Sequence, residues 1–335
     1  MKFPWTQAIT CALALCNGSF ARPLTSDSGA VSKRADPSKV GYLGVYWTTA
    51  DESVYFALTD NANPTAFQAI NGGNAIVSPT LGTKAVRDVS IIPADGKWYI
   101  IGTDLNIDET TWDASTRTGS RGILVWESTD LITWTNERLV VVEGDTAGMV
   151  WAPDAIFDAA QNQFLVHWAS KFYAEDDPEH TGDATTNVVL RYAYTSDFET
   201  FSEPATYIDK GDTGVLDLSF LQVDDNTFVR YYGDNAAGGI VAEVSTSGLF
   251  GTWERPTDVI ATNYEGPYPY WDNEVDGTAY LLSDLVGGSA GLRAFVTTDV
   301  TSGTFTQDTS VDISFMRHGS VLPVTQDQYD ALSAL

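Results

Sequence analysis

The chain repeats itself five times, and this limits the possible folds more than any other feature. A short strand-like run ending in a Ser/Thr pair and an acid or serine recurs along it. The copies are VYFALTD ending at Asp60, LVWESTD at Asp130, RYAYTSD at Asp197, VAEVSTS at Ser247 and AFVTTD at Asp299. They stand 70, 67, 50 and 52 residues apart. Ahead of each lies an alternating, aromatic-rich run, at 42–47, 97–101, 163–169, 227–232 and 278–282. Such alternation between Gly, Asn and Asp boundaries reads as half-buried antiparallel strand. A third type of run precedes these in four copies, as VRDVSII, WAPDAIF, VLDLSFL and YEGPYPY, and a fifth, RHGSVLP, stands alone near the C-terminus. Helical periodicity is confined to the tail, 326–335. The first copy lacks the strand that the C-terminal end supplies. The expectation is an all-β chain folded as one five-bladed β-propeller, closed by strands from both termini.

The N-terminal stretch stands outside this register. Residues 1–21 carry Lys2, an apolar run and small residues at Ser19 and Ala21, which is the pattern of a secretory signal peptide. Residues 22–34 end in Lys33-Arg34, as a pro-peptide cut at a dibasic site would. The catalytic domain is then 35–335, secreted and extracellular. Cys11, Cys16 and the sequon at Asn17 fall in the leader, so the mature chain is expected to lack disulfides and N-glycans. The leader's apolar run is too short for a bilayer, and no later run reaches the required length.

Charge narrows the partners. The formal net charge is -27, with a pI near 4.1, and removing the leader makes it -30. A surface so acidic repels nucleic acid and anionic membranes, whereas uncharged carbohydrate meets no such barrier. A monomer is expected.

The first strand of each propeller blade lines the central axis. Aligning the five runs brings Asp88, Asp154, Asp217, Glu265 and His318 to one channel mouth. Any one acid could be a strand-end residue satisfied by backbone amides; five in register argue for a site. Clustered carboxylates push their pKa values apart, leaving one group as acid and another as base at the same pH. Glycoside hydrolysis needs that pairing.

These motifs resemble glycoside hydrolase family 43, over roughly 41–332. The likeness rests on RDVSII, WAPDA, VLDLSF, YEGPY and RHGSV. It implies an inverting hydrolase with Asp88 as general base, Asp217 as pKa modulator and Glu265 as general acid. Base and acid would then stand roughly 6.5–9.5 Å apart with a water between them. It also implies that His318 lies on the axis, holding a calcium or sodium ion through water, or hydrogen-bonded without one; no cofactor is required. Two departures are visible: Val89 and Leu218 follow the Asp residues where the family usually has Pro. Asp36-Pro37-Ser38 imitates the family's base motif, but would make a sixth inner strand.

For substrate contact the candidates are Trp151 as a stacking platform, Asp154, Tyr268, Arg317 and His318, with Trp271 secondary. His167 and His180 are expected to be structural or surface residues. Two long polar insertions, 106–121 and 171–187, could wall the pocket. The resemblance leaves arabinofuranosides, xylosides, arabinan and galactofuranosides open, with terminal α-L-arabinofuranose the simplest choice. A retaining fructan-cleaving propeller would need an Asn-Asp-Pro-Asn strand and a Glu-Cys strand, which this sequence lacks. A catalytically inactive sugar-binding propeller would not need the acids in register.

Overall fold

A computed structural model describes residues 35–287 and 289–335. The expected signal peptide and pro-peptide, both cysteines and the Asn17 sequon lie outside the described residues. The described chain forms five four-stranded antiparallel sheets, the blades of a β-propeller. From the axis outwards, blade 2 runs Val86–Ala94, Lys97–Asp104, Gly122–Ser128 and Thr135–Val141. Blades 3, 4 and 5 repeat this order, with inner strands Trp151–Asp158, Val215–Gln222 and Tyr264–Trp271. Blade 1 differs. Its inner strand is Arg317–Thr325, hydrogen-bonded to Lys39–Thr48, which in turn pairs with Asp51–Asp60.

The repeated Ser/Thr and acid is a turn, and its chemistry explains the repeat. Asp130 accepts the backbone N–H groups of Ile132 and Thr133 at 2.8 and 2.7 Å. Asp197 does the same for Glu199 and Thr200 at 2.9 and 2.8 Å. The hydroxyls of Ser128 and Thr195 accept from the N–H three residues on. Side chain thus replaces backbone partner in a tight third-to-fourth strand turn. The apolar residue that follows, Leu131 or Phe198, is fully buried between blades.

The core is divided by interface. One apolar cluster joins blades 1 and 2 through Leu43, Val45, Val89 and Trp126. Others join blades 2 and 3, 3 and 4, 4 and 5, and 5 and 1. Each sheet is therefore covered on both faces, which changes one sequence expectation. The middle strands are not half-buried: every residue of Phe228–Asp234 is buried. Stacking of blade upon blade leaves no solvent face at that radius.

Among the described residues two α-helices accompany the strands, Trp112–Arg117 and Gln326–Ser333. The second is the expected tail helix. The first lies inside the 106–121 insertion, where its six residues were too few to show a period. Among the described residues no helix is long and apolar enough to cross a membrane.

Candidate active site

Every inner strand carries a β-bulge at the same height. The pairing register slips between Arg87 and Ser90, Trp151 and Asp154, Leu216 and Ser219, and Glu265 and Tyr268. It slips again in blade 1, opposite Tyr46, between Arg317 and Ser320. In four blades the first bulged residue has positive φ: Asp88 (50°), Ala152 (48°), Asp217 (57°) and Gly266 (57°). A bulge breaks the pairing and re-aims a side chain, and Asp is among the few residues that tolerate this backbone region. At Asp88 and Asp217 the strained position carries a carboxylate; at Ala152 and Gly266 it carries none.

The register sorts the axial residues into three layers. Arg87, Trp151, Leu216, Glu265 and Arg317 form the rim. Asp88, Ala152, Asp217, Gly266 and His318 form the bulge ring beneath it. Ser90, Asp154, Ser219, Tyr268 and Ser320 lie deeper still. This corrects the alignment read from sequence. Asp88, Asp217 and His318 are equivalent as expected, but Glu265 sits one step above them and Asp154 one layer below. All five strands carry the same extra residue, so the offset comes from matching acid to acid; matching RDVS, WAPD, LDLS, EGPY and RHGS residue by residue puts Ala152 and Gly266 level with Asp88.

The bulge ring is tightly wired. His318 Nδ1 lies 3.1 Å from Asp88 Oδ1, and the Thr103 hydroxyl donates to Asp88 Oδ2 at 2.9 Å. Thr103 also accepts the Ala152 N–H at 2.7 Å, tying blade 2 to blade 3. Asp217 Oδ2 accepts the Gly266 N–H at 2.9 Å. The neighbouring Asp284, fully buried in the second strand of blade 5, binds three donors. They are the Gly291 N–H at 2.9 Å, Arg317 Nε at 2.6 Å and the His318 N–H at 3.1 Å. Arg317 thereby lies 3.8 Å from Glu265 Oε1 and over the Trp47 ring. Arg87, its counterpart on blade 2, pairs with Glu52 at 3.0 Å and stacks on Trp47.

This wiring splits the carboxylates. Burial alone would raise the Asp88 carboxyl, but the hydrogen bond and charge of His318, then Arg87 and Thr103, hold it below its ordinary range. Asp217 moves the other way, raised by burial and by the charges of Asp88 and Asp284 against the pull of His318. Glu265 is pushed up to about 7 by burial, Asp217 and Asp284, although 39% of its side chain stays open to solvent. Burial disfavours a charged His318, yet Asp217, Asp88 and Glu265 outweigh it and push the imidazole up to about 10. The centre therefore holds an imidazolium, an ionised Asp88 and a protonatable Glu265. One group can take a proton while another gives one.

An axial cation held directly by these side chains does not fit. His318 Nδ1 is turned to Asp88. Among the described residues no three metal-ligating side chains converge.

Other candidates fall in different places. Trp151 is at the rim and packs edge-on against Trp112, with ring centroids 6.0 Å apart. Tyr268 and Asp154 sit in the deep layer; Asp154 accepts from Ser219 at 3.0 Å and is pushed up to about 6, mainly by burial. Trp271 ends its strand, away from the rim, donating to the Gln222 carbonyl. Asp36 caps a turn at Ser38, ahead of the strand whose opposite end carries Trp47. A cleft of about 820 Å³ opens at that same far end, beside Lys39, Asp60, Asn273 and Asp276, and holds no ring side chain. His167 is buried, held neutral by burial at about 3. His180 is not a surface residue: it stacks on Tyr173 and binds the carbonyls of Arg117 and Asp145. It thus pins one insertion to the other.

Sequence reasoning missed Thr103, Asp284, Arg87 and Trp112. Asp284 left a usable trace, an acid at the heart of the apolar run 279–285. Such an acid needs partners, and here they are site residues.

The fold and its centre define a five-bladed propeller with a split carboxylate–imidazolium site at one end of the axis. The chain belongs to the family described as a probable glycosyl hydrolase domain, related to glycosyl hydrolase family 43, whose model matches residues 37–330. It is 28% identical over 224 residues to an alpha-L-arabinofuranosidase of Bifidobacterium longum; the match takes in 62% of this chain and 21% of that protein. The matched part is thus about a fifth of that relative's length. Among solved structures, the catalytic domain of the Coprinopsis cinerea GH62 alpha-L-arabinofuranosidase superposes with a TM-score of 0.49 at 15% identity, covering 72% of this chain and 74% of that one. Native Bacillus subtilis arabinanase gives 0.48 at 15%, covering 74% and 82%. The fold assignment rests on the five sheets themselves.

Proposed function

We propose that this protein is a secreted, inverting glycoside hydrolase acting on plant or cell-wall polysaccharide and releasing terminal α-L-arabinofuranosyl units. Asp88 is the general base, Glu265 the general acid, and Asp217 the group that holds the acid's proton in place by its charge. The observation that carries this reading is the gathering of Asp88, Asp217 and Glu265 about His318 in two adjacent layers, wired so that Asp88 is held low and Glu265 is raised. The alpha-L-arabinofuranosidase relative supports the choice of sugar. The base draws a proton from water as it attacks the anomeric carbon. Glu265 protonates the departing oxygen, and one displacement inverts the anomer. Arg317, aimed by Asp284 and lying beside Glu265, is placed to meet a sugar hydroxyl.

The test is a panel of nitrophenyl glycosides, α-L-arabinofuranoside, β-D-xyloside and β-D-galactofuranoside, with NMR of the first-formed anomer. Cleavage of the arabinofuranoside with inversion is expected. Retention, or no hydrolysis of any of them, would sink the reading.

A pH profile follows from the same site. Glu265 must be protonated, so kcat/KM should fall as pH rises through about 7. Asp88 must be ionised, and its pKa is depressed, so the acid limb should lie below the usual carboxylate range. Asp284→Asn removes one of the charges that raise Glu265 and should move the alkaline limb to lower pH. An alkaline limb unmoved in that variant would contradict the assignment of Glu265 as acid.

A further inference from the structure

The rim is divided by chemistry. Blades 5, 1 and 2 contribute Glu265, Arg317 and Arg87, whereas blades 3 and 4 contribute Trp151 and Leu216. The 106–121 insertion adds Trp112 to the apolar sector. Its side chain meets Trp151 edge-on and receives the Arg87 guanidinium 5.1 Å from its ring centroid, yet the residue is 56% exposed. Trp112 is no loosely held tip. It opens the helix Trp112–Arg117, capped by Thr111, whose hydroxyl accepts the Ala114 N–H. Arg117 Nη1 donates to the carbonyls of His180 and Gly182 at 3.1 and 2.8 Å. Tyr173 Oη donates to the Thr116 carbonyl at 3.2 Å. A second insertion thus braces the helix and presents a large aromatic ring at the rim, next to the residue that precedes Asp88.

We infer that Trp112 is a saccharide-stacking residue that determines specificity on the base side of the site. The inference deepens the proposed function and rests on it for the direction of the sugar. A sugar ring offers an apolar C–H face, and an indole held edge-on by Trp151 and charged on one flank by Arg87 keeps area free to cover it. Glu265 lies on blade 5 and protonates the leaving oxygen, so the leaving group departs on that side. Trp112 overhangs blades 2 and 3. It therefore meets the sugar whose anomeric carbon is attacked rather than the leaving group, and its removal should weaken short and long substrates by the same factor.

The experiment uses the full chain. Glu265→Gln protein, with and without Trp112→Ala or Trp112→Phe, is titrated calorimetrically with methyl α-L-arabinofuranoside and with arabinan and arabinoxylan oligosaccharides. Trp112→Ala should weaken binding of the methyl glycoside roughly 3- to 10-fold, with Trp112→Phe between it and the parent. In the active enzyme, KM for nitrophenyl and oligosaccharide substrates should rise together while kcat changes less. Unchanged affinity in Trp112→Ala, or no saccharide bound by the parent, overturns the inference. Loss confined to long substrates overturns the base-side placement. Trp112-dependent binding without any hydrolysis of the glycoside panel would leave the stacking role standing and remove the catalytic reading.

Discussion

Glu265→Gln and Asp88→Asn are each expected to lower kcat by about 10²- to 10⁴-fold, the range associated with loss of a positioned acid or base. The two should differ in a way that identifies them. A nitrophenolate leaves without much protonation, so Glu265→Gln should cost far less on the nitrophenyl glycoside than on an oligosaccharide with a sugar leaving group. Asp88→Asn should depress both alike, because water must be activated whichever group departs. Their stabilities should differ too. Glu265 is partly open to solvent and its nearest cation is 3.8 Å away, so Gln at this position should melt within a degree or two of the parent. Asp88 binds Thr103 and a charged His318, so Asn there leaves an imidazolium short of a partner and lowers the melting point. Near-normal turnover of oligosaccharide by either variant would remove that residue from the mechanism.

The sequence made much of this legible, for a physical reason. Turns are local: the Ser128/Asp130 and Thr195/Asp197 pairs satisfy backbone groups within a few residues, so the repeat that reveals five blades is written in contiguous sequence. Inner strands are legible too, since an acid in an apolar run, as at Asp88 and Asp217, has few reasons to be there. The relation between strands is different. Whether Glu265 or Gly266 stands level with Asp217 depends on matching the runs acid to acid or residue by residue, and the hydrogen-bond ladder decides for the second. The supporting residues are less visible still. Thr103 and Asp284 lie on second strands, 15 residues from Asp88 and 34 from His318 respectively, and only the closed packing brings them to the ring. Trp112 is the extreme case: its helix is too short to show a period and owes its position to an insertion some sixty residues away.

Gly266→Ala should cost the protein both stability and activity. Gly266 has a φ of 57°, and a Cβ there would lie 2.5 Å from His318 Cγ, 2.6 Å from Cδ2 and 2.9 Å from Nδ1. The left-handed backbone alone costs a non-glycine residue about 1–2 kcal/mol, and overpacking adds typically ~1–3 kcal/mol. The ring cannot simply swing aside, because Asp88 holds its Nδ1 and Asp284 holds its backbone N–H. The alternative is for the strand to retreat, which lengthens the bond from the Gly266 N–H to Asp217 and moves Glu265, the adjacent residue. Either route displaces Asp88 or Glu265, the proposed base and acid, and a misplacement of about 1 Å is enough for roughly a 10²-fold loss of rate. Gly96 separates the two contributions: its φ is 74°, but nothing lies within 4 Å of a Cβ built on it, so Gly96→Ala carries the backbone strain without the collision. Calorimetric melting and kcat of the two variants, measured side by side, test the argument. Gly96→Ala should lose a few degrees and no activity, whereas Gly266→Ala should lose more of both. Equal melting points with unimpaired turnover in Gly266→Ala would mean that the Asp88–His318 pair is not held by the packing described here.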